Sequence, residues 1–277
     1  MARRRTDSAG ATRELLKELG DLTGRILDQI KLQQARVELA AALQRQMLAA
    51  ELPAVPWLRA AGRYTPARVG LDIGGDWYDG FQLPDGSMGF AIGDVQGHDV
   101  EAAAHMGQVR TCLRAVATST TDPAEVLRRT NDLLVAMASE LFVTCSFLRF
   151  DPATKELCDA RAGHVPAVWA TTGGRCEIVL NEGGLPLGIH AGEDYPSSRR
   201  RLTDTGAFVL LTDGVVEGPS YPIDDGLKKV AELVADACRT DPDELAAEVI
   251  KVADLTGHSD DAAVLVLRYG EDDGDGG

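Results

Sequence analysis

Hydrophobic positions change period several times along this chain, and each change marks an element. Leu15, Leu19, Leu22 and Ile26 follow a 4-3-4 spacing that Ile30, Val37 and Leu39 roughly continue, with Arg, Lys, Glu and Gln on the other faces. Apolar side chains three and four apart share one helical face, so the spacing predicts an amphipathic helix from residue 12 to about 50. No proline interrupts that stretch, and Pro53 and Pro56 end it. Such a helix is either a coiled-coil arm, for dimerisation or for receiving a signal, or a long helix folded back onto the body.

Beyond Pro56 the periods shorten. Residues 57–66 alternate like a strand, and Gly86–Asp94 is apolar enough for a buried strand ending in a loop. Val100–Thr118 is alanine-rich with helical spacing. Asp122 as N-cap, Pro123 in the first turn and Glu125 open a second helix reaching about Ser139. Leu141–Phe150, Lys155–Arg161, Ala167–Thr171 and Cys176–Leu180 read as short strands separated by Asp-Pro, Gly-His and Gly-Gly turns. Ala207–Thr212 reads as a buried strand, Asp225–Ala237 and Asp241–Ala253 as helices, and Asp261–Arg268 as a last strand. Grouped strands and paired helices exclude the strict alternation of a doubly wound fold. They predict an α+β body whose sheets are covered by helix pairs.

Composition narrows the function. Among 277 residues, 28 Lys and Arg face 43 Asp and Glu, a net charge of −15. About −11 remains without the tail EDDGDGG, which is expected to be disordered. So acidic a body excludes a general nucleic-acid binder, which needs a cationic face. No apolar run approaches the roughly 18 residues of a membrane span, and MARRRTDSAG lacks the apolar centre of a signal peptide. Cysteines 112, 145, 158, 176 and 238 form no C-x-x-C pair and read as free buried thiols in a reducing cytosol. A cytoplasmic protein is expected. It would have a helical arm over 1–50, a catalytic-sized body over 51–270 and an acidic tail over 271–277.

Most acids in such a chain face solvent, but four are placed differently. Asp76 follows paired glycines in LDIGGDWYDG, Asp94 ends the strand GFAIGD, Asp213 ends AFVLLTD, and Asp260 begins DDAAVLVL. Burying a carboxylate at a strand end costs several kcal/mol by order of magnitude unless something neutralises it. These segments carry no matching set of Lys or Arg. Divalent cations would neutralise several carboxylates at once, and all-oxygen ligands select hard ions such as Mg²⁺, Mn²⁺ or Ca²⁺.

The stretches VGLDIGGDWYD, FAIGDVQGHDVEAA, RAGHVPAVW, GGLPLGI, FVLLTDGVVE and DDAAVLVL occur in that order. They resemble the metal-dependent protein phosphatases (PPM, or protein phosphatase 2C-like), and most of all their SpoIIE/RsbU-type bacterial members. The resemblance runs from about Leu43 to Tyr269, and LQRQMLAAELP looks like the segment that precedes the catalytic domain in this subgroup. It implies a four-layer α-β-β-α sandwich of two antiparallel sheets. It also implies hydrolysis of phosphoserine or phosphothreonine in proteins with two Mn²⁺ or Mg²⁺ ions. Carried over by position, Asp94 bridges the metals, the Val95 carbonyl binds one, Asp213 and Asp260 bind the other, and Asp76 joins directly or through water. Asp94 and Asp213 are then catalytic through the metals, with no covalent nucleophile. Asp79 is expected to shape its loop, Asp261 to start a strand, and His164 to close a turn. Where animal-type relatives have a histidine two residues after the bridging aspartate this chain has Gln96, with His98 further on. Asp99, in place of a usual glycine, suits a helix N-cap.

The subgroup's substrate is a small phosphorylated antagonist of an anti-sigma factor. With only about 50 residues before the body, the arm is expected to be the regulatory input, through a homodimer or a separate regulator. Two other readings compete. A pseudophosphatase would act as a binding or scaffold module, though the retained aspartates oppose it. A GGDEF-type cyclase shares only Gly-Gly-Asp.

Overall fold

A computed structural model describes residues 14, 16–32, 35, 51–66, 74–97, 100–138, 141–257 and 260–270. Several features singled out in the sequence lie outside them: Val37, Leu39, LQRQMLA, Val69–Ile73, His98, Asp99 and the tail 271–277. The chain divides into two units, Met1–Leu43 and Gln44–Gly277. In the first, residues 16–32 form helix α1, on which Leu19, Leu22, Ile26 and Ile30 are all exposed.

The second unit holds two antiparallel five-stranded sheets. Sheet A has the order β1 (Leu58–Thr65), β10 (Ala262–Tyr269), β9 (Gly206–Leu211), β6 (Ala167–Thr171), β7 (Cys176–Val179). Sheet B has the order β2 (Trp77–Gln82), β3 (Met88–Val95), β4 (Val143–Asp151), β5 (Glu156–Ala162), β8 (Ser197–Arg201). Helices α2 (Val100–Ala117) and α3 (Pro123–Ala136) pack on sheet B. Helices α5 (Ile223–Ala237) and α6 (Pro242–Ile250) pack on sheet A, with short α4 (Asp213–Val216) and α7 (Val252–Thr256) at its edge.

Strand alternation creates the layers. On β10, Ala262, Val264 and Val266 enter the core under α5 and α6, while Ala263, Leu265, Leu267 and Tyr269 enter the core between the sheets. On β3, Ala91 and Val95 join the core under α2 and α3, while Met88, Phe90 and Ile92 face the other sheet. Three apolar cores separate four layers, which is the expected α-β-β-α sandwich. The central strands bury both faces, so they read as unbroken apolar runs. Capping follows the sequence reading: Asp122 accepts from the Ala124 N–H at 3.2 Å and Asp241 from the Asp243 N–H at 2.8 Å. In both helices proline takes the first turn.

Three elements depart from the sequence reading. Strand β2 begins within the glycine-rich segment read as a loop. Strand β8 is SSRRR, an edge strand with no apolar residue to mark it. The helix foreseen over Asp241–Ala253 breaks at Lys251, and α7 ends at Gly257 with φ 67°. Cysteines 145, 158 and 238 are buried as expected, but Cys112 is half-buried and Cys176 exposed; all five are free thiols. Among the described residues, no helix is long and apolar enough to cross a membrane.

Candidate functional site

The β2–β3 pairing sets Trp77 opposite Gly93, so Asp76 and Asp94 come to the same end of sheet B. The β10–β9 pairing sets Val264 opposite Leu211, which brings Asp213 and the Asp260-Asp261 pair to one end of sheet A. These ends coincide: the Thr212 hydroxyl, next to Asp213, reaches Asp76 at 2.6 Å, and Asp261 lies against Gly74. Alternation decides which side chains point inward. Asp94 is in step with Phe90 and Ile92, and Asp261 with Ala263 and Leu265, so both lie on the faces that look across the sandwich. Asp76 and Asp261 are buried, Asp94 and Asp213 half-buried, and Asp260 exposed.

The paired glycines allow this convergence. A β-carbon at position 74 would fall 1.1 Å from Asp261 Oδ2, and one at position 75 would fall 2.3 Å from the Val95 carbonyl oxygen. Only glycine lets the acid of β10 and the carbonyl of β3 approach the backbone beside Asp76.

Burial is the largest influence on Asp76, Asp94 and Asp213, and it raises the pKa of all three. Next in size come other carboxylates: Asp94 acting on Asp76, Asp213 and Asp260 on Asp94, and Asp260 on Asp213. Asp261 raises both Asp76 and Asp94. Hydrogen bonds oppose the trend. The Thr212 hydroxyl donates to Asp76 Oδ2 at 2.6 Å, and the Gly214 N–H donates to Asp213.

This donor set fits hard divalent cations. It offers carboxylates and a peptide carbonyl, and the strongest charges on its members are one another's. Among the described residues, no three Asp, Glu, His or Cys side chains are drawn together at ligand spacing. The acids share one end of the sandwich, where like charges repel until a cation neutralises them.

Four of the five residues expected as ligands, Asp76, Asp94, Val95 and Asp213, meet here on or beside buried strand ends. Asp260 is near but exposed, and Asp261, expected only to start a strand, is the buried partner. Asp79 is not a loop residue. It lies in β2, buried, and takes a two-pronged bond from Arg114 of α2 at 2.7 and 2.6 Å, with Arg110 at 3.4 Å. His164 is buried beside the site. Its Nδ1 is 2.9 Å from the hydroxyl of Thr144, the strand partner of Asp94. Burial, then the Arg161 charge, lowers its pKa to about 3, so it is neutral. The roughly 760 Å³ groove along α2, which includes Gly107, Gln108, Thr111 and Met137, contains none of these acids.

Comparison with known proteins bears on the family and the fold. The family model for stage II sporulation protein E (SpoIIE) matches residues 84–270. Phosphoserine phosphatase RsbU of Bacillus subtilis (strain 168) is 25% identical over 239 residues, covering 84% of this chain and 70% of the relative. Phosphoserine phosphatase RsbP of the same organism is 26% identical over 151 residues, covering 53% of this chain and 37% of RsbP. The crystal structure of the RsbU and RsbW domains of Rv1364c from Mycobacterium tuberculosis superposes with a TM-score of 0.71 at 29% identity, over 81% of this chain and 63% of that one. The SiaA-PP2C domain of Pseudomonas aeruginosa shares the fold, with a TM-score of 0.71 at 20% identity, over 87% of this chain and 98% of that domain.

Proposed function

The chain belongs to the SpoIIE family, and from that premise we propose that it is a metal-dependent protein serine/threonine phosphatase. The observation that carries this reading is the meeting of Asp76, Asp94, Asp213, Asp260 and Asp261 from separate segments at one end of the sandwich, where Asp94, Asp213, Asp260 and Asp261 each raise the pKa of a neighbouring acid. Asp94, the Val95 carbonyl, Asp213 and Asp260 would hold the ions, with Asp76 joining them directly or through water. Asp261 lies close enough to Asp76 and Asp94 to serve with them. When bound, two Mn²⁺ or Mg²⁺ ions supply Lewis-acid activation of water and offset the charge of phosphoryl oxygens. The chain's own acids hold that charge in place. The cysteines lie outside this cluster, so hydrolysis without a covalent enzyme intermediate is the reading that fits.

The names of RsbU and RsbP as phosphoserine phosphatases support a phosphoserine or phosphothreonine protein as substrate. We propose a small signalling protein, an anti-sigma-factor antagonist, acted on in the cytoplasm. The catalytic body would be residues 51–270, with the arm of residues 1–50 as its input through a second copy or a regulator.

The test is release of phosphate from para-nitrophenyl phosphate and from a phosphoserine protein by the full chain, with and without Mn²⁺. Wild type should turn over only with the metal, and Asp94→Ala should lose at least about a hundredfold, of the order expected when a group acting only in the transition state is removed. No metal-dependent rate in wild type would leave a non-catalytic binding module as the better reading.

A further inference from the structure

We propose that Thr212 is a positioning residue of the carboxylate cluster, whose hydroxyl fixes which oxygen of Asp76 is presented to the cations. The inference rests on the metal-site reading above. Thr212 is fully buried between the end of β9 and Asp213. Its hydroxyl carries one proton and can accept through its lone pairs. The N–H of Ala263 donates to Oγ1 at 2.9 Å. Two acceptors compete for the single proton: Asp76 Oδ2 at 2.6 Å and the Ala263 carbonyl at 3.5 Å. The second is long for an O–H bond, and that carbonyl already accepts the Thr212 N–H at 3.0 Å. The proton therefore goes to Asp76.

The direction of this bond has a consequence for the cluster. Ala263 fixes the hydroxyl from one side, so it meets Asp76 as a donor and Oδ2 is committed as an acceptor. The bond also spans the sandwich. It joins β9 and β10 of sheet A to the residue that leads into β2 of sheet B, 136 positions away in sequence. With Oδ2 held by that buried bond, Asp76 has a fixed orientation in which Oδ1 is the oxygen presented as the ligand atom. Partners that orient ligands in this way govern affinity nearly as much as the ligands do.

The experiment compares Thr212→Val, which keeps the shape and removes the proton, with Thr212→Ser, which keeps the hydroxyl. Mn²⁺ affinity of the full chain is measured by calorimetric titration, and urea unfolding of the metal-free protein is followed alongside. Valine should weaken Mn²⁺ binding about 10- to 100-fold, while serine stays within about threefold of wild type. In an Asp76→Ala background, Thr212→Val should bring no further loss of affinity. The proposal is overturned if valine binds Mn²⁺ like wild type, if serine is as weak as valine, or if the loss persists without Asp76. It is overturned too if Thr212→Val and Thr212→Ala both fail to fold while serine is native, since the hydroxyl would then serve structure alone. A wild type that binds no Mn²⁺ would instead remove the metal-site reading itself.

Discussion

At the scale of single residues, Asp76 and Asp94 set the pH behaviour of the metal-free protein. Burial and neighbouring carboxylates raise both pKa values in the folded state above the usual 3.8. A raised pKa means the folded chain holds its protons more tightly than the unfolded chain. The stability this contributes is fully present below the ordinary aspartate range and is lost as pH rises through the raised values. In chelator, the thermal midpoint should therefore fall as pH increases above the acid range. Asp76→Asn should flatten that fall and raise the midpoint at neutral pH by roughly 2–4 °C, the shift about 1 kcal/mol gives at this size. The same variant should bind Mn²⁺ more weakly. Opposite signs for stability and affinity mark a carboxylate kept for its ligand; a lower midpoint at neutral pH would contradict that. The sequence disclosed Asp76, Asp94 and Asp213 because each adjoins an apolar run or a glycine pair. Of the adjacent pair it named Asp260, which is exposed, while Asp261 is the buried one. Strand β10 is buried on both faces, so no polar alternation reveals which acid turns inward; only the larger Leu265, Leu267 and Tyr269 on one face carry that parity.

Between elements, a charged tie runs from α2 to β2. Asp79 is 3% exposed and takes a fork from Arg114 (47% exposed), while Arg110 (14% exposed) stands at 3.4 Å. Arg114 also lies over the Phe81 ring, 4.6 Å from its centroid. Removing Asp79 would strand a nearly buried Arg110, whereas removing Arg114 leaves Asp79 paired to Arg110. Asp79→Ala should thus cost about 2–4 kcal/mol, below the full cost of breaking a buried pair because Arg114 is half solvated. Arg114→Ala should cost about 1 kcal/mol. Urea unfolding of both variants measures the difference, and equal costs would refute the asymmetry. This tie was not legible in the sequence. Turn-rich glycines around Asp79 mask β2, and the arginines that meet it lie 31 and 35 residues later on a helix whose polar face looks solvated. Strand β8 escaped for a related reason. Pairing with β5 defines it, and its own side chains show no apolar period.

For the molecule as a whole, periodicity disclosed the grouped strands and capped helix pairs, while their stacking into four layers came from the resemblance to the PPM phosphatases. The first unit poses a different problem. Helix α1 exposes Leu19, Leu22, Ile26 and Ile30 by 47–62%, on one face three and four residues apart. Isolated exposed leucines are ordinary, but a continuous stripe on a helix has a geometric partner in a second copy of itself. These positions span about two heptads, fewer than the three or four that sustain an independent coiled coil. Burying the exposed halves of eight such side chains gains about 8 kcal/mol gross, much of which association entropy offsets. The expected result is a reversible dimer with a dissociation constant on the order of 10 μM or weaker. Sedimentation velocity over a wide concentration range should show a shift from monomer to dimer in the full chain. The double variant Leu22→Asp, Ile26→Asp should stay monomeric throughout, with the stability of the Gln44–Gly277 unit unchanged. If wild type sediments as a monomer even at high concentration, a second copy is not what the stripe serves, and a separate regulator becomes the occupant to seek.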